Sequence, residues 1–410
     1  MMHRHPSTKD RDCCRCSQLP RALRKRGYAS VSAVLLITVG IVTMLLVVNW
    51  TYLNLARQRT QELVTTLSYS AAHELLDDAQ LEDFPAPPAY NQADDLSAAR
   101  TLLDAPLTGL IARHNAVSGE PLRVNAPSDL TVLAARIEDA SSPPYGANFD
   151  NTIVAGQRAN TLMVNVAREA SGANPVNLII RGWGSPEAAT IEGTSYATLD
   201  SRVIGFRPTS SIASPVAPLA ISSDAWFVDR TSAPNDSNAN NRPELDVIIQ
   251  VDAGTVVTNG AFVNLNENLP FLTTNLANQI RSGVLAASVA PGGLGPATEA
   301  DPMDLAAEAE VNSSVAGNLE DAFLDVIASS DPRRVFPIYD AASPGSVEVI
   351  GFIAARVLDV AIESTMLGDR LRVRLEPEFL IHRTVVTSYR DSTSTIVPEN
   401  TYIHKVRLTR

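Results

Sequence analysis

The chain has 410 residues and a formal net charge of −12, with hydrophobic residues at 45% and aromatics at 5%. An acid excess argues against nucleic acid as a partner, and so few aromatics advertise no base- or sugar-stacking surface. The three cysteines, Cys13, Cys14 and Cys16, all lie in the first 16 residues, so everything after them must be held by its core without disulfides.

Residues 1–26 read as a polar, basic tail. Arg4, Lys9, Arg11, Arg15, Arg21, Arg24, Lys25 and Arg26 stand against Asp10 and Asp12, a net of +6, which leaves −18 on the remainder. Cys13 and Cys16 make one C-x₂-C pair with His3 and His5 nearby, but no second pair closes a four-ligand site. The expectation is a tail without a metal or a lipid attachment.

Gly27 to Ala56 is thirty residues without a charge. A helix rises about 1.5 Å per residue, so about 20 apolar residues cross a hydrocarbon layer of roughly 30 Å. The stretch from Ala29 to Trp50, with Val34, Leu36, Ile41, Leu45 and Val48 between them, meets that length. Trp50, Tyr52 and Tyr28 stand where amphipathic rings prefer the interface. The run is longer than the apolar core of a secretory signal peptide, and its exit, Val48-Asn49-Trp50, is not a small-x-small cleavage site. The positive tail predicts an anchor with a cytoplasmic N-terminus and some 350 residues outside, periplasmic or extracellular, on an inner membrane. Leu63, Leu67, Ala71 and Leu75 recur every four residues and line one face of a helix continuing beyond the span as a stalk. No Gly or Pro interrupts it before Pro85. That face meets either the chain's own exported body or a partner helix, self-association included.

Residues 83–98 read as an acidic, Pro-rich linker, and Ala98 to Asn115 as a helix broken at Pro106. Strand signals follow at Leu122–Asn125, Leu130–Ile137, Thr161–Ala167, Val176–Arg181 and Thr194–Phe206. In Thr161–Ala167, Leu162, Val164 and Val166 share one face and Met163, Asn165 and Ala167 the other. After a polar loop at 230–245 come strands at Asp246–Val251 and Thr255–Leu265 and helices at Thr273–Ala287 and Asn318–Ser329. Further strands are predicted at Val335–Tyr339, Val347–Ser364, Leu371–Leu375, Phe379–Val386 and Tyr402–Arg407. The fold class is α+β: one transmembrane helix, a stalk, then a mainly β exported region with a few helices. The expected divisions are 1–26, 27–84, 85–118, 119–229 and 230–410.

Catalytic motifs are absent from the sequence: there is no G-x-S-x-G, no H-E-x-x-H (His73-Glu74 runs into Leu75, Leu76 and Asp77) and no phosphate loop. Pro291–Gly295 is Gly-rich without a Lys and reads as a flexible connection. Asp236, Asn238 and Asn240 begin like a calcium loop, but Asn241 replaces its glycine and Val247 its closing acid, so a solvated Asn-rich turn is the preferred reading. No enzyme activity and no cofactor are expected.

Arg26-Gly27, the apolar span with Asn49 near its close, Tyr52, Arg57, Gln61 twelve residues after Asn49, and Thr65-Thr66 with Ser70-Ala71-Ala72 together resemble the TadE/TadG type of protein. These accompany the tight-adherence (Flp) pilus machinery in bacteria. Members place Asp where Asn49 stands. Asn174–Leu178, Arg202–Pro208 and Val349–Phe352 are similar to a long variant with an exported β-rich region. The resemblance implies a non-enzymatic, single-pass component of pilus or secretion assembly whose partners are the membrane and other assembly proteins. Processed prepilins carry Glu five residues after the cut, where this chain has Ser32, and the D-x-S-x-S metal site of some TadG-like proteins is missing. A minor pseudopilin built into a fibre, a surface adhesin and a tethered hydrolase are the alternatives.

Overall fold

A computed structural model describes residues 21–76, 128–141, 159–169, 174–180, 188–230, 236–252, 255–266, 271–290, 292–343 and 345–409, together with 81, 109, 111–113, 115, 116 and 124. Side chains in the first helix are described from residue 30. The tail up to residue 20, the linker, most of the predicted 98–115 helix and all of the predicted 122–125 strand except Val124 lie outside these residues. The architecture is α+β, with a long apolar N-terminal helix and a β-rich remainder.

Helix α1 runs Arg21–Ala72 and closes in a 3₁₀ turn, His73–Leu75. It stops well short of Pro85. Leu76 is extended, with φ −88° and ψ 105°, and it packs against both cores, while Leu75 is buried in one and Leu81 in the other. The strands are β1 (Leu130–Ala135), β2 (Thr161–Arg168), β3 (Val176–Asn177), β4 (Ala188–Ala189), β5 (Ile191–Asp200), β6 (Val203–Phe206), β7 (Leu219–Ser222), β8 (Leu245–Val251), β9 (Gly260–Val263), β10 (Met303–Glu308), β11 (Glu310–Val311), β12 (Arg333–Ser343), β13 (Ser346–Thr365), β14 (Gly368–Pro377), β15 (Leu380–Ile381), β16 (Val385–Thr387) and β17 (Ile403–Thr409). Helices α2 (Thr273–Ser282) and α3 (Ser313–Ile327) pack on each other, and α3 lies against β13.

The first sheet has the order β1-β2-β5-β17-β15 and carries α1 on one face. Period-two alternation decides which side chains meet the helix. Leu162, Val164 and Val166 are buried and Met163, Asn165 and Ala167 are half-buried, as their spacing predicts. On β5 the buried face includes the small residues Gly193, Ser195 and Ala197. A Cβ on Gly193 would lie 3.0 Å from Cγ2 of Thr60 and 3.1 Å from Cγ2 of Val64, so the missing side chain lets helix and sheet approach.

The second sheet has the order β10-β9-β7-β12-β13-β14-β8-β11, and β10 pairs with β13 as well. The strands β10, β9, β7, β12 and β13 therefore close into a ring around an apolar core that includes Ile221, Phe262, Phe336 and Val349. The sheets cut across the expected boundary at 229/230. Strand β7 joins strands from beyond residue 245, and β15 and β17 return to complete the first sheet. Strand pairing joins distant segments, which compositional breaks do not register.

Other differences have local causes. The predicted 273–287 helix ends at Ser282, because Val284 exchanges backbone hydrogen bonds with Ser214. The predicted 318–329 helix starts earlier, where Asn312 Oδ1 accepts from the Val315 N–H at 2.9 Å and caps it. Strand 379–386 is split at His382, whose Nδ1 accepts from the Thr384 N–H. Pro291–Gly295 is no flexible connection over its described residues. Leu294 exchanges backbone hydrogen bonds with Phe206, and Gly293 and Gly295 hold φ values of +99° and +109°. A Cβ on either would come within 2.3 Å of a carbonyl oxygen of β6.

Strand β17 bridges the two cores: Ile403 belongs to that of the ring and Val406 packs on that of the first sheet. Between them His404 is buried beside Phe379, with Nε2 donating to the Thr401 carbonyl at 3.1 Å and Nδ1 without a partner. Burial pushes its pKa down to about 4, and burial lowers His73 and His382 as well. Each is neutral when folded and protonates more readily unfolded, so its stabilisation is complete above the unfolded pKa near 6.5 and is lost as pH falls. For His404 the loss runs from about pH 6.5 to about pH 4. Thermal melts should therefore fall steadily between those values, and His404→Leu should flatten the slope; an unchanged slope would place the proton elsewhere.

Candidate membrane anchor and its junction with the body

Helix α1 is one rod in two environments. One helix, Ser30–Leu75, is long and apolar enough to cross a membrane, and its most apolar window is wholly unburied. Of the predicted anchor residues, Val34, Leu36, Ile41 and Trp50 are exposed, Leu36 by 72%, and Leu45 and Val48 are half-exposed. Ala29 lies in α1 just before the described side chains begin. Three threonine hydroxyls of this part of the helix are satisfied within it. The hydroxyls of Thr38, Thr43 and Thr51 donate to the carbonyls of Val34, Val39 and Val47 at 2.8–2.9 Å.

The second half is core. Leu63, Leu67, Ala71 and Leu75 are all buried, Leu67 and Ala71 completely, against the first sheet. The stripe thus meets the chain's own body, the first of the two occupants its spacing allowed. The physical reason is the small-residue surface of β5, which accepts the helix at close range.

The boundary between the halves falls at Asn49. Its Nδ2 donates to the Ile180 carbonyl at 3.1 Å, and its Oδ1 accepts from the Ile180 N–H at 3.2 Å. One side chain thus completes both backbone groups of a residue 131 positions away, and the strand expected over 176–181 ends at Asn177. An aspartate could accept but not donate, so asparagine suits this pairing. Farther along, Gln61 Nε2 donates to the Thr194 carbonyl on β5 at 2.8 Å. Between them Ala56 packs with Val176 and Ile191, and Tyr52 and Leu53 lie against this small cluster. Asn49 and Gln61 are therefore where α1 is tied to the body. Sequence reading missed that role; the available signal was two neutral amides at the edge of an apolar helix face.

Asp236, Asn238 and Asn240 lie in a turn held by side-chain hydrogen bonds. Both Asp236 carboxylate oxygens accept backbone N–H groups, those of Asn240 and Asn241. Asn238 and Asn240 both donate through Nδ2 to Oε2 of buried Glu376, at 2.6 and 2.9 Å. A carboxylate neighbour requires donors, so these amides turn their nitrogens inward rather than converging oxygens on a cation. No group of three or more His, Cys, Asp or Glu placed to hold a metal occurs among the described residues. A cleft of about 240 Å³ lies between β13 and the 397–402 segment, with Phe227, Ile350 and Phe352 on its walls. Glu399, also on its wall, is engaged by Arg136 and Arg202.

No protein-family model, no curated protein and no solved structure matches this chain.

The junction yields a stability test. Leu67→Ala in the full chain should cost about 2–5 kcal/mol, because a filled core site is emptied. Asn49→Ala and Gln61→Ala should each cost about 1 kcal/mol or somewhat more, because backbone partners lose their hydrogen bonds. Val34→Ala should cost nothing measurable. Urea midpoints in detergent would show it; an unchanged midpoint for Leu67→Ala would mean the helix is not part of the body's core.

Proposed function

We propose that this chain is a non-enzymatic, single-pass membrane protein of a Flp/Tad-type pilus or secretion assembly, holding an acidic β-rich body outside the inner membrane for contacts with other assembly proteins. The division of α1 is the observation that supports it. An apolar half with no protein around it needs a lipid or protein environment, and a half built into the core cannot separate from the body. The positive tail favours a cytoplasmic N-terminus. The TadE/TadG resemblance of Arg26-Gly27, Asn49 and Gln61 supplies the pilus context.

Protease added to spheroplasts tests the topology. The body should be digested while a fragment of tail and span stays in the membrane, resistant to extraction by salt. Survival of the whole chain, or its release by salt, would overturn the reading. Deleting the chain should then abolish surface fibres or the secretion that depends on them, with restoration by the intact gene.

A minor pseudopilin is the second reading, favoured by the same free apolar half, which copies in a fibre would bury against one another. Mass spectrometry of the purified chain separates the two. A terminus at Tyr28 supports the fibre; an intact basic tail supports the permanent anchor.

A further inference from the structure

The anchor reading carries a consequence for the body itself. We propose that the turn after β3, Leu178–Ile180, is a second membrane contact, seated at the boundary between phospholipid headgroups and acyl chains beside the exit of the span. This rests on the anchor reading and places one part of the body within it.

Ile179 is 59% exposed while its neighbour Leu178 is buried. A single exposed isoleucine means little by itself. Its position gives it meaning. Ile180, next in the chain, is held by both polar atoms of the Asn49 amide. From Ser30 to Asn49 the helix rises about 28 Å, which spends nearly the whole hydrocarbon thickness of roughly 30 Å. The body therefore begins where the hydrocarbon ends, with no spacer between. Trp50, 66% exposed, marks the same level, where indoles prefer to lie. The first charge on α1 after Arg26 is Arg57, so no charged side chain of the helix at this level holds the turn away from lipid.

The turn is also fixed rather than free to retreat. Upstream, the buried Arg168 guanidinium donates through Nε to the Asn174 carbonyl at 3.0 Å and through Nη2 to the Pro175 carbonyl at 3.2 Å. The Asn174 amide in turn donates to Asp129 Oδ2 at 2.7 Å. Held from both sides, Ile179 keeps its height relative to Asn49.

The test uses the full chain with Cys13, Cys14 and Cys16 replaced by Ser, reconstituted into vesicles of phosphatidylcholine and phosphatidylglycerol. Single cysteines replace Val34, Ile179 or Met366, each carrying an environment-sensitive fluorophore. Val34 reports the span, and Met366, at the fully exposed tip of the β13–β14 hairpin, is the aqueous control. The expected result is quenching of position 179 by nitroxides near the headgroup, with iodide quenching several-fold weaker than at 366. Position 34 should respond to nitroxides deep in the acyl chains. If 34 is deep but 179 is quenched by iodide as strongly as 366, this inference fails and the anchor stands. If 34 is itself open to iodide, the anchor reading fails and the inference falls with it.

Discussion

Everything in this fold depends on a single helix being solvated in two ways. From Ser30 to Val48 no side chain of α1 is buried, and from Ala56 to Leu75 one face of the helix is core. Neither half could exchange roles. Leu63 and Leu67 fit a sheet because Gly193, Ser195 and Ala197 leave them room, whereas no second sheet faces Val34 or Leu36. The change occurs within about two turns, and neutral amides mark both ends of the tie. A charged residue would carry a larger desolvation cost at the edge of an apolar layer, while Asn and Gln complete backbone groups without one.

The body is arranged to resist being pulled apart in sequence order. Strand β17, near the C-terminus, pairs with β5, which lies against the helix, while β15 joins the sheet through β17. Its flanks reach into the ring: Tyr402 packs edge-on to Trp226, over which the buried Arg230 guanidinium lies at 4.5 Å. The unpartnered nitrogen of His404 sits at this seam. A polar group left unsatisfied in the interior is costly, and here it lies on a strand that contributes to both cores. Mild acid would therefore charge a group at the seam between sheet and ring.

Much of this was legible beforehand, for physical reasons that also explain what was not. Thirty uncharged residues can be read from composition alone, and alternation in Thr161–Ala167 fixed both faces of β2. The stripe from Leu63 to Leu75 announced a buried face without naming its neighbour, because periodicity reports that a surface is covered and not what covers it. Strands β7 and β10 escaped notice, being short and carrying little alternation. The Gly-rich loop misled for a different reason: glycine signals freedom when nothing is near, but at Gly293 and Gly295 it permits backbone to touch backbone. The Asn-rich turn left two readings open because a ligand pattern of oxygens and a donor pattern of amides have the same letters. Only the buried Glu376 opposite them decides between the two.

The tie at Asn49 bears on how any force reaches the body. Were the apolar half held by lipid alone, the body would ride with the anchor through the bilayer plane. Were it packed among copies in a fibre, the body would be carried on the fibre surface at a height set by the same residue. In both cases the coupling is stiff, because residues 56–75 cannot move along the sheet without emptying the sites of Leu63, Leu67 and Leu75. A hinge between anchor and body would need a polar, glycine-bearing spacer after the span. This chain instead runs on through Trp50, Tyr52 and Leu53 into its own core, so the helix and its sheet move as one piece.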